Sequence, residues 1–212
     1  MTLRTAVRLW FGAIAGAALV AAAGCEKGSG SSSLGSGHDF GDKDPNVLTA
    51  IGDSITAGNW PGLLAAQLGK TVIDRGHPGD ETKDGVSVAA AALASDKPGF
   101  LLIQYGANDA ILSRSVSFSI ANLRAIIQAA VAANTIPVVA TVTPMYDGHA
   151  AFAGNAAALS QAIRTLASEE GAAVADVESA FGSDRSLIGP DGLHPTPAGD
   201  QVIASVFAGV LR

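Results

Sequence analysis

Ser54 closes the tripeptide Gly52-Asp53-Ser54, which follows the apolar run Val47-Leu48-Thr49-Ala50-Ile51. That order places a hydroxyl just past the end of a strand, with Gly52 free to turn the chain sharply. A serine hydroxyl is a weak nucleophile at neutral pH and needs a base within hydrogen-bond reach, itself oriented by a third group. The block Asp191-Gly192-Leu193-His194 supplies both. Pro195 disfavours helical geometry at His194, and Thr196-Pro197 has the pattern of an N-cap followed by a first helical residue, so the histidine is held extended just ahead of a helix. Asp191, on a loop opened by Gly189-Pro190, is within reach of the Nδ1 side of the ring, leaving Nε2 to face the serine. Attack by such a serine on an ester creates an oxyanion, which needs donors already in place. Gly79, in Gly76-His77-Pro78-Gly79-Asp80, offers a backbone N–H with no side chain in the way; Asn108, in Gly106-Ala107-Asn108-Asp109, offers its amide NH2. Each block has a plainer reading by itself: a turn tripeptide, a helix cap, a loop glycine, a turn asparagine. Convergence at one edge is what would give them chemical meaning.

Such convergence needs a scaffold. From residue 46 onward the chain alternates short β-branched or apolar runs with longer Ala-rich segments of helical period, the pattern of parallel β-α-β units. Strands are predicted near 47–51, 70–74, 100–105, 136–141 and 172–177, and helices near 60–69, 85–95, 116–133, 155–170 and 197–211. The clearest helix is 118–133, where Phe118, Ile120, Leu123, Ile126, Ile127 and Ala130 share one side while Asn122, Arg124 and Gln128 lie elsewhere. In an open sheet of this kind ligands sit at the carboxyl ends of the strands, and Ser54, Gly79 and Asn108 each follow a predicted strand. The Ala-rich helices carry little bulk, which predicts close packing on the sheet in place of a wide cavity. The longest irregular insertion, 143–154, holds Met145, Tyr146 and Phe152 beside Asp147, Gly148 and His149. Its apolar groups, Tyr146 among them, either meet substrate or pack.

With 212 residues, 48% hydrophobic and 15% charged, the chain suits one globular domain with a substantial core. Residues 1–24 read as an export signal: Arg4 and Arg8 give a positive start, and Leu9 to Ala23 is apolar and rich in Ala and Gly. That run is shorter than the ~20 residues of a membrane span. Cys25 is the only cysteine, so it forms no internal disulfide. Ala22-Ala23-Gly24-Cys25 resembles the lipobox of bacterial lipoproteins, with Ala22 where leucine is usual. The resemblance implies lipidation at Cys25 and an anchor in the bacterial cell envelope, periplasm or outer membrane; an ordinary signal cut nearby would give a secreted protein instead. Residues 25–45 are expected to form a Gly/Ser-rich tether, leaving 46–212 as the folded domain. Residues 1–24 hold two of the 13 basic residues and none of the 19 acidic ones, so the remainder carries a net charge of −8. An acidic domain without basic clusters excludes nucleic acid as an expected partner. A monomer is expected.

The four blocks together resemble those of the SGNH hydrolases, also called GDSL esterases and lipases. They match in order: Ile51-Gly52-Asp53-Ser54-Ile55-Thr56-Ala57-Gly58, Gly76-His77-Pro78-Gly79-Asp80-Glu81-Thr82, Tyr105-Gly106-Ala107-Asn108-Asp109, and Asp191-Gly192-Leu193-His194-Pro195. The likeness covers essentially all of 46–212. It implies an α/β fold of flavodoxin-like type, a three-layer α/β/α sandwich with a five-stranded parallel sheet. It also implies Ser54 as nucleophile, His194 as base, Asp191 as the group that orients His194, and an oxyanion held by the backbone N–H of Ser54 and Gly79 with the side chain of Asn108. In the second block Asp74 stands where relatives often have Asn, and His77-Pro78 precede Gly79. No cofactor and no metal is implied, and His38, His77 and His149 lack the close spacing of a zinc motif. His77 is a candidate substrate contact. Asp53 and Asp109 are expected to hold loops through backbone hydrogen bonds. The function expected is a serine esterase acting through an acyl-enzyme intermediate on short-chain acyl or acetyl esters, whether of polysaccharide or of aryl and alkyl alcohols. Two alternatives stay open: lysophospholipase or thioesterase-type activity on longer acyl chains, and an inactive carbohydrate-binding envelope lipoprotein.

Overall fold

The computed structural model describes residues 34–212. The export signal, Cys25 and the first part of the expected tether lie outside the described residues. Five strands, β1 (Asp44–Gly52), β2 (Thr71–Gly76), β3 (Pro98–Gln104), β4 (Ile136–Ala140) and β5 (Ala173–Ala175), form one sheet. Their order across it is β2-β1-β3-β4-β5, and every neighbouring pair runs parallel. β3 lies at the centre with all its residues buried, as its unbroken apolar run Phe100-Leu101-Leu102-Ile103 requires of a strand covered on both faces.

The helices are α1 (Trp60–Leu68), α2 (Thr82–Ser95), α3 (Ala107–Ile111), α4 (Val116–Ala132), α5 (Ala153–Glu170), α6 (Val177–Phe181) and α7 (Pro197–Leu211). On one side α1 packs against α7; on the other α2, α4 and α5 lie side by side. The rings of Trp60 and Phe207, both fully buried, stack at 4.7 Å between α1 and α7, a pairing worth about 1 kcal/mol beyond its area. Ala89, Ala92, Ala130, Ala156 and Ala167 are buried, so small side chains bring the helices close, as the Ala-rich composition predicts. Helix starts follow local chemistry. Ser115 Oγ accepts the N–H of Phe118 at 3.2 Å, and Thr196 Oγ1 accepts that of Gly199 at 3.3 Å with Pro197 next in line, caps worth about 1 kcal/mol each.

β1 is flanked by β2 on one side and β3 on the other, so the connections leaving β1 and β2 pass over opposite faces of the sheet. Such a switch point opens a crevice at the carboxyl end of the strand. It is where Ser54 emerges.

The structure corrects three expectations. The last strand stops at Ala175, because the Asp176 carboxylate accepts the N–H of Ser179 and starts α6. The insertion 143–154 contains a 3-10 turn at Asp147–Phe152. The tether does not reach residue 45: Leu34 and Phe40 pack against the core, the Phe40 ring lies 5.6 Å from that of Phe100, and His38 Nε2 is 3.1 Å from the Asn134 carbonyl oxygen. Two apolar anchors within a Gly- and Ser-rich stretch are enough to lay it along the start of β3 and β4. No described helix is long and apolar enough to cross a membrane.

Candidate active site

The chain leaves β1 at Gly52, where a side chain would strike Thr56 Oγ1 and the carbonyl of Gln104. Glycine therefore lets the turn press against the end of β3 and carry Ser54 to the crevice. Asp53 points inward, buried, with Oδ1 accepting the N–H of Ile55 at 2.9 Å. Burial pushes its carboxyl up to about 7, against the opposing pull of the Ile55 N–H and of His194. It forms the loop, as expected. The N–H of His77 donates to the Gly52 carbonyl at 2.9 Å, which extends the pairing of β1 and β2 beyond the strands and fastens the second block to the first.

Ser54 Oγ lies 2.9 Å from His194 Nε2. On the other side of the ring, Nδ1 lies 2.5 Å from Asp191 Oδ2, and Asp191 Oδ1 accepts the N–H groups of Leu193 and His194 at 3.0 and 3.1 Å. With Nδ1 donating to the carboxylate, Nε2 presents its lone pair to the serine hydroxyl. Partial burial alone would raise the Asp191 carboxyl, but the hydrogen bonds from the His194 ring and from the two N–H groups outweigh it and hold the pKa at about 2. The loop is closed by the Gly189 N–H on the His194 carbonyl at 2.7 Å and by the Thr196 N–H on the Leu187 carbonyl at 2.9 Å. The side chains of His194 and Asp191 are still 47% and 46% exposed, so polar ties more than packing keep them in place.

Asn108 sits in the first turn of α3, which Gly106 opens at φ 118°. Its Nδ2 donates to the Asp80 carbonyl at 2.8 Å, using one amide hydrogen and leaving the second. Gly79 adopts φ 89°, and the space over its Cα is open. Among the described residues, the N–H groups of Ser54 and Gly79 donate to no protein acceptor. Three uncommitted donors thus follow the carboxyl ends of β1, β2 and β3. Asp109 is buried and accepts from the Thr82 N–H at 2.9 Å, Thr82 Oγ1 at 2.6 Å and Ser119 Oγ at 2.7 Å. It pins the first turns of α2 and α4 beside α3, through two side-chain hydroxyls as well as the backbone hydrogen bonding expected of it.

The four blocks meet, and the remaining candidates fare differently. His77 lies on the Gly79 loop with its side chain 58% exposed and Nδ1 3.9 Å from the Asp80 carboxylate. Tyr146 is spent on packing: its hydroxyl donates to the Gly182 carbonyl at 3.4 Å, and the Arg185 guanidinium lies 5.0 Å over its ring. Met145 is buried at 2% exposure and Phe152 packs against the core. His149, by contrast, gains weight: its Nδ1 lies 2.8 Å from the Asp191 carbonyl oxygen. The only sign of this in the sequence is the polar triplet Asp147-Gly148-His149 inside an otherwise apolar insertion. Among the described residues, no group of three or more His, Cys, Asp or Glu is placed to hold a metal ion.

Residues 50–202 match the model of the GDSL-like lipase/acylhydrolase family. No curated protein matches the chain. Solved structures do. A protein assigned to the lipolytic G-D-S-L family from Desulfitobacterium hafniense superimposes with a TM-score of 0.70 at 22% identity, over 78% of this chain and 99% of that one. One assigned as an SGNH hydrolase, from Slackia heliotrinireducens, gives 0.68 at 26% identity, over 78% and 98%. A catalytic mutant of an acetylxylan esterase from Geobacillus stearothermophilus gives 0.68 at 18% identity, over 80% and 95%. At such identities the structural likenesses speak to the five-stranded α/β/α fold; it is the family match across the four blocks that makes this chain a member of the GDSL-like lipase/acylhydrolase family of ester hydrolases.

Proposed function

We propose that this hydrolase is a serine esterase that cleaves short-chain acyl esters, acetyl esters of polysaccharide or simple aryl and alkyl esters, through an acyl-enzyme intermediate on Ser54. The observation that carries the mechanism is the unbroken line from Ser54 Oγ through His194 to the Asp191 carboxylate, 2.9 and 2.5 Å per step. His194 Nε2 takes the hydroxyl proton as Oγ bonds to the ester carbonyl carbon. The carbonyl oxygen becomes an oxyanion facing the N–H groups of Ser54 and Gly79 and the second amide hydrogen of Asn108. Collapse of the tetrahedral species breaks the bond to the alkoxy oxygen, which leaves as alcohol with the proton from His194. Water then attacks the acyl-serine with His194 again as base, and release of the carboxylic acid restores the hydroxyl.

Preference for a small acyl group is supported by what the 143–154 insertion does with its apolar side chains. Met145, Tyr146 and Phe152 are committed to the core or to its edge, and the catalytic histidine stands nearly half exposed. A shallow, open lip suits an acetyl group on a bulky alcohol better than a buried acyl chain. The acetylxylan esterase among the similar folds acts on a substrate of that kind. Rates on p-nitrophenyl esters from acetyl to palmitoyl are expected to fall with chain length. A monotonic rise toward palmitoyl would overturn the short-chain reading in favour of lysophospholipase or thioesterase-type activity.

The oxyanion assignment carries its own prediction. Asn108→Ala is expected to lower kcat by about 10²- to 10³-fold, the typical cost of one such donor, with KM much less affected. Steady-state kinetics on p-nitrophenyl acetate check it, and a variant with parental kcat removes Asn108 from the machinery.

A further inference from the structure

The loop that carries Asp191 and His194 is gripped from outside by residues 146–149. Two successive carbonyls of the loop are taken: that of Gly192 accepts the Tyr146 N–H at 2.8 Å, and that of Asp191 lies 2.8 Å from His149 Nδ1. A carbonyl only accepts, so the His149 proton is on Nδ1. Gly192, at φ 76°, is pressed onto the Tyr146 carbonyl, where no Cβ fits. The gripping segment is itself braced. The Asp147 carboxylate pairs with Arg185, whose guanidinium lies over the Tyr146 ring, and Arg185 begins the 3-10 turn Arg185–Leu187 that leads into the loop.

These ties matter because the opposite side of the loop is open. Asp191 and His194 are each nearly half exposed; the Gly192 N–H is tied to the Gly189 carbonyl at 2.9 Å, and the Asp191 carbonyl at the other end of that peptide is held by His149. Release of that carbonyl would let the Asp191 backbone turn and swing the carboxylate off the His194 ring. The Tyr146 tie uses backbone and survives any side-chain change; the His149 tie depends on a side chain.

We infer that His149 is a positioning residue of the hydrolytic site: by holding the Asp191 carbonyl through Nδ1–H, it keeps the Asp191 carboxylate and His194 in line with Ser54. This rests on the roles proposed above for Ser54, His194 and Asp191. Two substitutions separate the donor from the bulk. His149→Phe keeps a ring and removes the donor, whereas His149→Asn puts an amide N–H close to where Nδ1 stood. On p-nitrophenyl acetate, His149→Phe is expected to lower kcat roughly tenfold to a hundredfold, the scale of a small misalignment of reacting groups, with KM nearly unchanged. His149→Asn is expected to recover most of the loss. Thermal midpoints of the variants are measured beside the kinetics. Parental kcat in His149→Phe, or a His149→Asn variant no better than Phe, overturns the inference. If His149→Phe fails to fold, Asp147→Asn, which frees the segment from Arg185, is expected to lower kcat severalfold, and parental kcat there overturns it equally. Ser54→Ala in the same assay keeps the two levels apart. If it is dead while His149→Phe is fully active, only the His149 role falls; if it turns over at the parental rate, the serine reading falls and takes the inference with it.

Discussion

Ser54→Ala is expected to fold normally and to lose turnover by about 10⁴- to 10⁶-fold, the cost of removing a serine nucleophile from a working triad. The hydroxyl stands at the crevice in contact with His194, so its loss leaves no cavity in the core and breaks no tie that holds a strand or helix. No neighbouring group is ready to replace it. Thr56, two residues on, is fully buried and its hydroxyl donates to Gln104 Oε1 at 3.3 Å, and Asp53 points into the protein. The backbone N–H of residue 54, the Gly79 N–H and Asn108 all survive the substitution, so residual rate would measure oxyanion stabilisation alone. Turnover of p-nitrophenyl acetate, labelling by a fluorophosphonate and a thermal midpoint together check the expectation. A folded variant retaining more than about one hundredth of parental activity would place the nucleophile elsewhere, since loss of a true nucleophile costs far more.

Asp191→Asn is expected to cost between about 10²- and 10⁴-fold in kcat. The upper figure is the loss seen when the orienting carboxylate of a serine triad is neutralised and the imidazole takes the wrong tautomer. An asparagine that turned its NH2 toward Nδ1 would force the ring proton onto Nε2, which would then donate to Ser54 instead of accepting from it. The lower figure reflects exposure: a carboxylate that is 46% exposed is screened by water, and its electrostatic share of the effect shrinks. The pH dependence follows in sign. Because the Asp191 carboxyl is lowered to about 2, it stays ionised wherever the rate is measured, and the stability it adds is present above its ordinary range and lost only as pH falls toward 2. Asp191 therefore does not shape the acid side of the rate profile; only the neutral form of His194 can act as base, so activity is expected to rise as pH rises. A flat profile from about pH 5 to 8 would count against that role, and an Asp191→Asn variant within tenfold of the parent would deny Asp191 its own.

The parts of this molecule that were legible in the sequence are those where one physical cause decides the outcome. An unbroken apolar run such as Phe100 to Ile103 has no stable place except a strand covered on both faces. The sixteen residues after Pro195 carry an N-cap, a first-turn proline and a helical period together. Ser54, Gly79 and Asn108 could be brought to one edge on paper because parallel strands all present the same end. The elements missed were short or set from elsewhere. α3 and α6, five residues each, complete too few turns to show a period, and the start of α3 depends on the φ of Gly106. His149 was illegible for a different reason: its partner is a backbone carbonyl, which every residue has, so no residue type at Asp191 could have announced it. The tether ran too far because a Gly- and Ser-rich composition outweighed Leu34 and Phe40, whose value lies only in the Phe100 and core surface they meet.

All five strands point the same way, so the molecule has a working end and a blunt end, separated by the length of a seven-residue strand, roughly 20 Å. Leu34 to Phe40 lie at the blunt end, against the first residues of β3 and the approach to β4. A bead, a fluorophore or a solid support joined at Leu34 would accordingly leave Ser54 facing outward, and an insoluble substrate could still come to it head-on.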